Sequence, residues 1–423
     1  MMRSELHFDA VVVGAGVAGL VAGARLAEGG ARVCVLAKGV GSTHLAPGTV
    51  DVLGYAPERV DEPGRAVGEL IAARPDHPYA LIGVEAIGEA LSWLAERVVR
   101  GPLPGYRYVG GLERNHLLPT AIGAVRPSTL VPETMAGGDL RSGGPVCIVG
   151  SPVLRDFHAS LCAANLARAG IEARSVAVAI EVERADQNSL GLARRFDDAD
   201  WRSAFASQLV PLLQGEERVG LPAVLGSKDP HGVWSDLEDR LARRVFEIPT
   251  LPPSVPGMRL FEVLRAALRE AGGRLVLGSE VLAAERADDG RVVAVRAHAS
   301  GRDVRYVASS FVLATGGFAS GGVELGSDWI TRETALGLAV SGAPGPGEER
   351  FVAEYVAEQP MARVGVAVDA QLRAEGAENV VVAGAALPGA VPWRELSGEG
   401  IAVASGSRAA STVLSRAAAG AAA

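Results

Sequence analysis

No apolar run in this chain reaches the ~18 consecutive residues that a bilayer-spanning helix requires, and no basic amphipathic stretch offers a surface anchor. The first residues run straight into a strand pattern rather than a signal-peptide pattern, so the expectation is a cytoplasmic protein that reaches a membrane only through a partner. Three cysteines, Cys34, Cys147 and Cys162, are too few and too scattered for a disulfide framework or for the paired ligands of zinc or an iron–sulfur centre. No metal site is expected, and no one-electron metal relay. Lysine is almost missing: Lys38 and Lys228 are the only two, and Arg supplies nearly all the positive charge. A net charge of −8 leaves no basic field to draw nucleic acid, so an anionic small molecule has to be met by local arginines. Aromatic residues stop at 5% while hydrophobic residues make up 48%, the balance of an Ala/Val/Leu-rich α/β enzyme. At 423 residues the chain exceeds one ordinary domain, and two interleaved domains are expected.

What is present begins at Phe8-Asp9-Ala10-Val11-Val12-Val13-Gly14-Ala15-Gly16-Val17-Ala18-Gly19, where an apolar strand runs into three spaced glycines and then a helical pattern. This is the pattern of a phosphate cradle. Gly14 allows the tight turn, Gly16 lets a phosphate approach the backbone, and Gly19 lets the helix pack on its strand. A second strand, Arg32 to Leu36, ends in Ala37 and Lys38, where this fold ordinarily places a carboxylate on the adenosine ribose. NADP explains a missing acid beside a base, and FMN, which has no adenosine ribose, explains it as well.

A second block runs from Gly257 to Gly317. Met258 to Ala271 has helical periodicity and stops at Gly272-Gly273. Strand runs follow at Arg274–Leu277 and Val281–Arg286, then a hairpin turn at Asp288-Asp289-Gly290, then strands at Arg291–Ala297 and Val304–Ala308. Ser309 to Gly317 reads as a buried strand ending Ala-Thr-Gly-Gly. A third block, Asn379 to Ala385 followed by Ser397-Gly398-Glu399-Gly400 and a small-residue helix, aims backbone N–H groups at a ligand. Ala385 stands where Asp commonly holds a ribityl chain. These blocks predict an α/β fold: a Rossmann-like flavin-binding domain of the two-dinucleotide-binding flavoprotein type with an inserted substrate/cap domain. The expected segments are 1–55, 258–318 and 375–423 for the flavin domain, and 56–257 and 319–374 for the cap. The cofactor-binding candidates are Gly14, Gly16, Gly19, Lys38, Ser42, Thr315, Gly316, Gly384, Ser397, Gly398 and Gly400. Ala37 and Ala385 favour FMN, with FAD as the alternative.

With these residues in hand, the chain resembles the family of B subunits of anaerobic glycerol-3-phosphate dehydrogenase. The likeness rests on Asp9–Gly23, on Ser42–Gly54 (Ser-Thr-His-Leu-Ala-Pro-Gly-Thr-Val-Asp-Val-Leu-Gly), on Pro249–Leu260 (Pro-Thr-Leu-Pro-Pro-Ser-Val-Pro-Gly-Met-Arg-Leu) and on Ala314–Gly322. The resemblance implies oxidation of glycerol 3-phosphate to dihydroxyacetone phosphate, with electrons passing through flavin to membrane quinone. It also implies FMN on this subunit, an FAD-containing sister subunit, and a third subunit carrying iron–sulfur centres and the membrane contact.

Oxidation of a secondary alcohol by flavin needs a hydride path and a base for the hydroxyl proton. His44, in the loop after the second strand, is the first candidate; its alternative is a loop histidine satisfied by backbone. His116, with Arg114, Asn115, Thr120 and Arg126 nearby in sequence, is a candidate phosphate-ester cluster or else a solvated cap loop. Arg259, after the proline-rich turn, can offer a bidentate guanidinium to a phosphate or to the flavin. Arg332 and Arg394 are weaker candidates of the same kind.

Overall fold

The computed structural model describes residues 4–179, 188–299 and 301–422. The flavin-type domain is built from β1 (Ser4–Val13), α1 (Val17–Glu28), β2 (Val33–Ala37), α2 (Val255–Glu270), β3 (Arg274–Leu277), β4 (Ser279–Arg286), β5 (Val292–Ala299), β6 (Arg302–Leu313), β7 (Ala377–Val382) and α3 (Gly398–Ala422). Strands β3, β2, β1, β6 and β7 lie side by side and parallel. Antiparallel β4 and β5 lead into β6 as a meander. Every residue of β2 is buried, as expected of a parallel strand covered on both faces.

The sequence suggests two strands, Val304–Ala308 and Ser309–Gly317; the structure has one, β6, ending at Leu313. Its first half pairs with β5 and its last residues with β7 on the same edge, so the partner changes near Ser309. Asn379 fills the gap. Its Nδ2 donates to Val292 O (2.7 Å) and Ser309 O (3.1 Å), and its Oδ1 accepts from Val292 N (3.0 Å). One buried amide thus satisfies backbone groups that the diverging strands leave open.

A second sheet lies within the insertion. Four parallel strands run in the order Val245–Ile248, Arg218–Pro222, Val146–Gly150, Ala173–Ala177. This is a doubly wound arrangement in its own right, with its own hydrophobic core between Leu117 and Val255. The helices Pro63–Ala73 and Val84–Val99, which the sequence reading places with the cap, contribute Val67, Ile87, Leu91 and Leu94 to the core of the flavin sheet instead. Between β6 and β7 the chain forms short hairpins around a small core of Val323, Met361 and Val364.

Candidate flavin and substrate site

The carboxyl ends of β1, β6 and β7 converge with the starts of α1 and α3. Gly14 has φ +113°, and a Cβ there would stand 2.2 Å from Ala314 O, so only glycine lets β1 turn beneath β6. Two residues on, Gly16 has ordinary extended backbone (φ −72°), and an added Cβ would meet nothing within 4 Å. Gly16 is the N-cap of α1, yet it supplies no side-chain cap, and the first turn has no acidic residue. A mostly buried helix start with unsatisfied amides and a positive dipole end is a site for an anion. Behind it, Gly317 and Ala385 are in close backbone contact: a Cβ on Gly317 would lie 2.4 Å from Ala385 O.

The two segments that carry the family resemblance pack on each other. Ser254 N donates to His44 O (2.9 Å), and a Cβ on Gly257 would strike Thr43 O at 2.1 Å. This contact lays the Gly41–Leu45 turn against the start of α2. Three polar atoms in this neighbourhood, Thr43 Oγ1, His44 Nε2 and Thr315 Oγ1, are buried without a hydrogen-bond partner among the described residues. His44 sets its ring edge-on to Phe261, 4.9 Å between centroids. Burial lowers its pKa against the opposing charge of Glu262, so the imidazole is neutral near pH 7.

The residues after Gly48 tie the domains together. Val50 exchanges backbone bonds with Leu130, Val52 N donates to Thr129 Oγ1 (3.1 Å), Tyr79 donates to Val52 O (2.7 Å), and Gly54 N donates to Glu395 O (2.7 Å). Asp51, 1% exposed, accepts from Thr49 Oγ1 (3.0 Å) and from Arg126 Nε (3.0 Å) and Nη2. Its backbone oxygen accepts from Gly400 N (3.0 Å), which brings Glu399 beside this ion pair. Burial first, then the charge of Asp51, raises Glu399 to about 7 despite the opposing pull of Arg126. Glu399 and Asp51 stand out in no sequence motif as a pair. Only the fold joins loop 49–54 to the start of α3; the signal available is an acid between two glycines at a helix start.

Next to this hub lies a cleft of about 750 Å³ lined by Tyr55, Arg59, Arg74, Arg363, Arg394 and Glu395, among others. Arg74 is held by Glu395 (3.1 Å) and Arg363 by Glu358. Arg59 and Arg394 have no carboxylate partner among the described residues; Arg394 lies over Trp393 at 5.9 Å.

Several sequence candidates are already occupied within the protein. The Arg259 guanidinium is 2% exposed and spends its donors on Glu247 (2.7 and 3.1 Å), Gly226 O and Leu225 O. It therefore pins α2 to the inserted sheet and has no fork left for a phosphate. His116 pairs through Nδ1 with Asp139 (3.2 Å), while Arg126, diagonal to it on the paired strand, belongs to Asp51. Asn115 is a staple, bonded to Leu53 O, Val60 O and Thr129 Oγ1. Lys38 is exposed and reaches Glu280 (3.0 Å), and Arg332 is held by Asp328 (2.9 Å). Ser397 is fully buried on Glu395 (2.9 Å), and the amide of Gly400 is used by Asp51, which leaves the Gly398 amide at the opening of α3. Gly384 donates its N–H to Ser405 Oγ (2.8 Å), while Ser42 is exposed and Gly316 turns the chain after β6 with φ +85°.

Fold and cradle together define a flavoprotein of the FAD-binding class: the family model described as FAD binding domain matches residues 9–401. A protein from Pectobacterium atrosepticum, named as the B subunit of anaerobic glycerol-3-phosphate dehydrogenase, is 32% identical, covering 97% of this chain and 99% of its own. One from Halobacterium salinarum, named as a probable member, is 31% identical over 95% and 96%. The chain belongs to this family of anaerobic glycerol-3-phosphate dehydrogenase B subunits, and it is a flavin oxidoreductase. Among solved structures, 3-ketosteroid Δ1-dehydrogenase from Sterolibacterium denitrificans is similar with a TM-score of 0.46 and 14% identity, covering 97% of this chain and all of that one. A point mutant of the E. coli quinol fumarate reductase FrdA gives 0.47 and 11%, covering 99% and 71%. The expectation of FMN over FAD finds no support in the family match. The uncapped α1 start, the open face of Gly16 and the three unpartnered buried polar atoms fit a bound flavin phosphate and ring.

Proposed function

We propose that the chain oxidises the secondary hydroxyl of sn-glycerol 3-phosphate to dihydroxyacetone phosphate and delivers the electrons, through partner subunits, to the quinone pool. The observation that carries this reading is the uncapped, mostly buried start of α1 at Gly16, set among polar groups unpartnered among the described residues. Bound there, the flavin supplies a two-electron acceptor for the hydride from the alcohol carbon. The α1 amides and the Gly14–Gly16 turn would hold its phosphate, and Thr43, His44, Thr315 and the Gly398 amide would hold its polar edges. Arg59 and Arg394 offer free guanidinium groups to the substrate's phosphate ester. The relatives' name, which makes each of them one subunit among several, supports a complex. An FAD-containing sister subunit and an iron–sulfur membrane-anchor subunit would complete it, with this chain on the cytoplasmic face, peripheral to the inner membrane.

FAD is the flavin in this reading. FMN is the second, because Ala37 is buried with no carboxylate in its place and Lys38 is drawn to Glu280. Chromatography of the flavin released by heat distinguishes them. The function is tested on the purified, flavin-loaded chain with an artificial electron-accepting dye. Glycerol 3-phosphate should reduce the dye and glycerol should not. A yellow chain that stays oxidised with glycerol 3-phosphate moves catalysis to the sister subunit.

A further inference from the structure

We infer that the Glu399 carboxylate accepts the hydroxyl proton of the substrate alcohol, with the Asp51–Arg126 ion pair as its positioning partner; this rests on the glycerol 3-phosphate reading above. The geometry sorts the three groups into roles. Asp51 is buried, and its carboxylate accepts from Thr49 and from two nitrogens of Arg126. Three of its roughly four acceptor sites are thus taken within the protein. Arg126 turns Nε and Nη2 to Asp51. The Glu399 carboxylate takes a hydrogen bond from its own amide and from no other group among the described residues, and its backbone is held in place from both sides. Gly400 N is bonded to Asp51 O, and Ile401 N to Ser397 O, so the first turn of α3 cannot swing away from the ion pair.

A second observation points to a ligand at the same place. Residues 126 and 128 share one face of the strand Val125–Ser128, and Ser128 Oγ, in a fully buried residue, has no hydrogen-bond partner among the described residues. An unsatisfied buried hydroxyl on the strand face that carries Arg126, together with a Glu399 carboxylate bonded to nothing beyond its own amide, is an arrangement that a polyol phosphate completes. The charged and titratable groups facing Glu399 are Asp51, Arg126 and, from the helix Pro78–Ile82, Tyr79. Burial and Asp51 bring the carboxylate to about 7, where a proton acceptor is most effective at neutral pH.

The step balances. The C2–H bond breaks and its electron pair leaves with the hydrogen, as hydride, to the oxidised flavin. The O–H bond breaks and its proton goes to Glu399, the C2=O bond forms, and Glu399 then returns the proton to solvent. The alcohol is oxidised and the flavin reduced.

The test uses the full, flavin-loaded chain. In the wild type, dye-linked kcat/KM for glycerol 3-phosphate should rise with pH through about 7. E399Q should lose that rise and fall by about 10²–10⁴-fold with flavin content unchanged, while E399D should keep the rise with a smaller loss. D51N should move the rise to lower pH, because it removes the negative charge that holds the proton on Glu399. Infrared difference spectra across neutral pH read the group directly: a protonated-carboxyl band should titrate in the wild type and be absent in E399Q. If E399Q loses flavin, E399D and the infrared band decide. A wild type that oxidises glycerol 3-phosphate while E399Q keeps the pH rise, or a rise abolished by H44N instead, overturns the proposal alone. A wild type inert toward glycerol 3-phosphate overturns the functional reading and this proposal with it.

Discussion

Gly14 and Gly16 lie two residues apart and are glycine for different reasons. Gly14 serves the protein, since its φ of +113° and its contact with Ala314 forbid a side chain. Gly14→Ala should cost about 1–3 kcal/mol from backbone strain alone, seen as a lower Tm whether or not flavin is present. Gly16 serves a ligand, since the protein itself leaves room for a Cβ. Gly16→Val should leave the Tm of the flavin-free chain essentially unchanged and abolish flavin retention, and full flavin occupancy in that variant would contradict the cradle. Glu399 makes a further prediction in stability. Its folded pKa of about 7 lies above the ordinary carboxylate range, so its contribution favours the fold in acid and is lost as pH rises through about 7. E399Q should therefore match the wild type in Tm at acid pH and exceed it above neutrality. Both glycines are legible from spacing alone. The Asp51–Glu399 pairing is not, because its members are joined only by the folded chain.

At the scale of elements, α2 is held to the inserted sheet by one buried ion pair, Arg259 with Glu247. Arg259→Met leaves Glu247 buried and uncompensated, which should cost about 3–5 kcal/mol. Replacing both residues with Met should recover much of that, and denaturant titration of the single and double variants checks it. Sequence patterning finds β1, α1, β2, α2, the Asp288–Gly290 hairpin and β7, where apolar periodicity and glycine stops coincide. It splits β6 at the Ser309-Ser310 pair, which is where that strand changes partner and Asn379 supplies the missing bonds. In the insertion the apolar run Val146–Gly150 carries a local strand signal. Arg218–Pro222 carries Gly220 and ends in proline, which demotes a strand assignment, and Ala173–Ala177 is a half-exposed edge strand with no apolar run. Their pairing with Val146–Gly150 is a long-range fact that local propensity does not carry.

For the whole molecule, no helix among the described residues is long and apolar enough to cross a membrane. The thiols of Cys34, Cys147 and Cys162 are buried and pushed up to about 12, 11 and 11 by burial, so none is a thiolate near neutral pH. On the proposed function, membrane contact and one-electron relay fall to partner chains. Expressed alone, the chain should pass electrons from glycerol 3-phosphate to a dye and not to quinone in vesicles; robust quinone reduction without partners would refute that division.

The inserted sheet is contiguous in the chain, with a core spanning Leu117 to Val255, whereas the flavin sheet needs β1, β6 and β7 together. On a ribosome the insertion can therefore finish folding while the nascent chain is still emerging, but β1 must wait for Arg302–Leu313 as its neighbour on that side, and that strand in turn for Ala377–Val382. Tyr79 and Val52 wait longer still, for Gly400, to be closed in. The flavin pocket thus closes after the inserted sheet, and flavin capture on the proposed function waits for Ala377–Val382 and the start of α3.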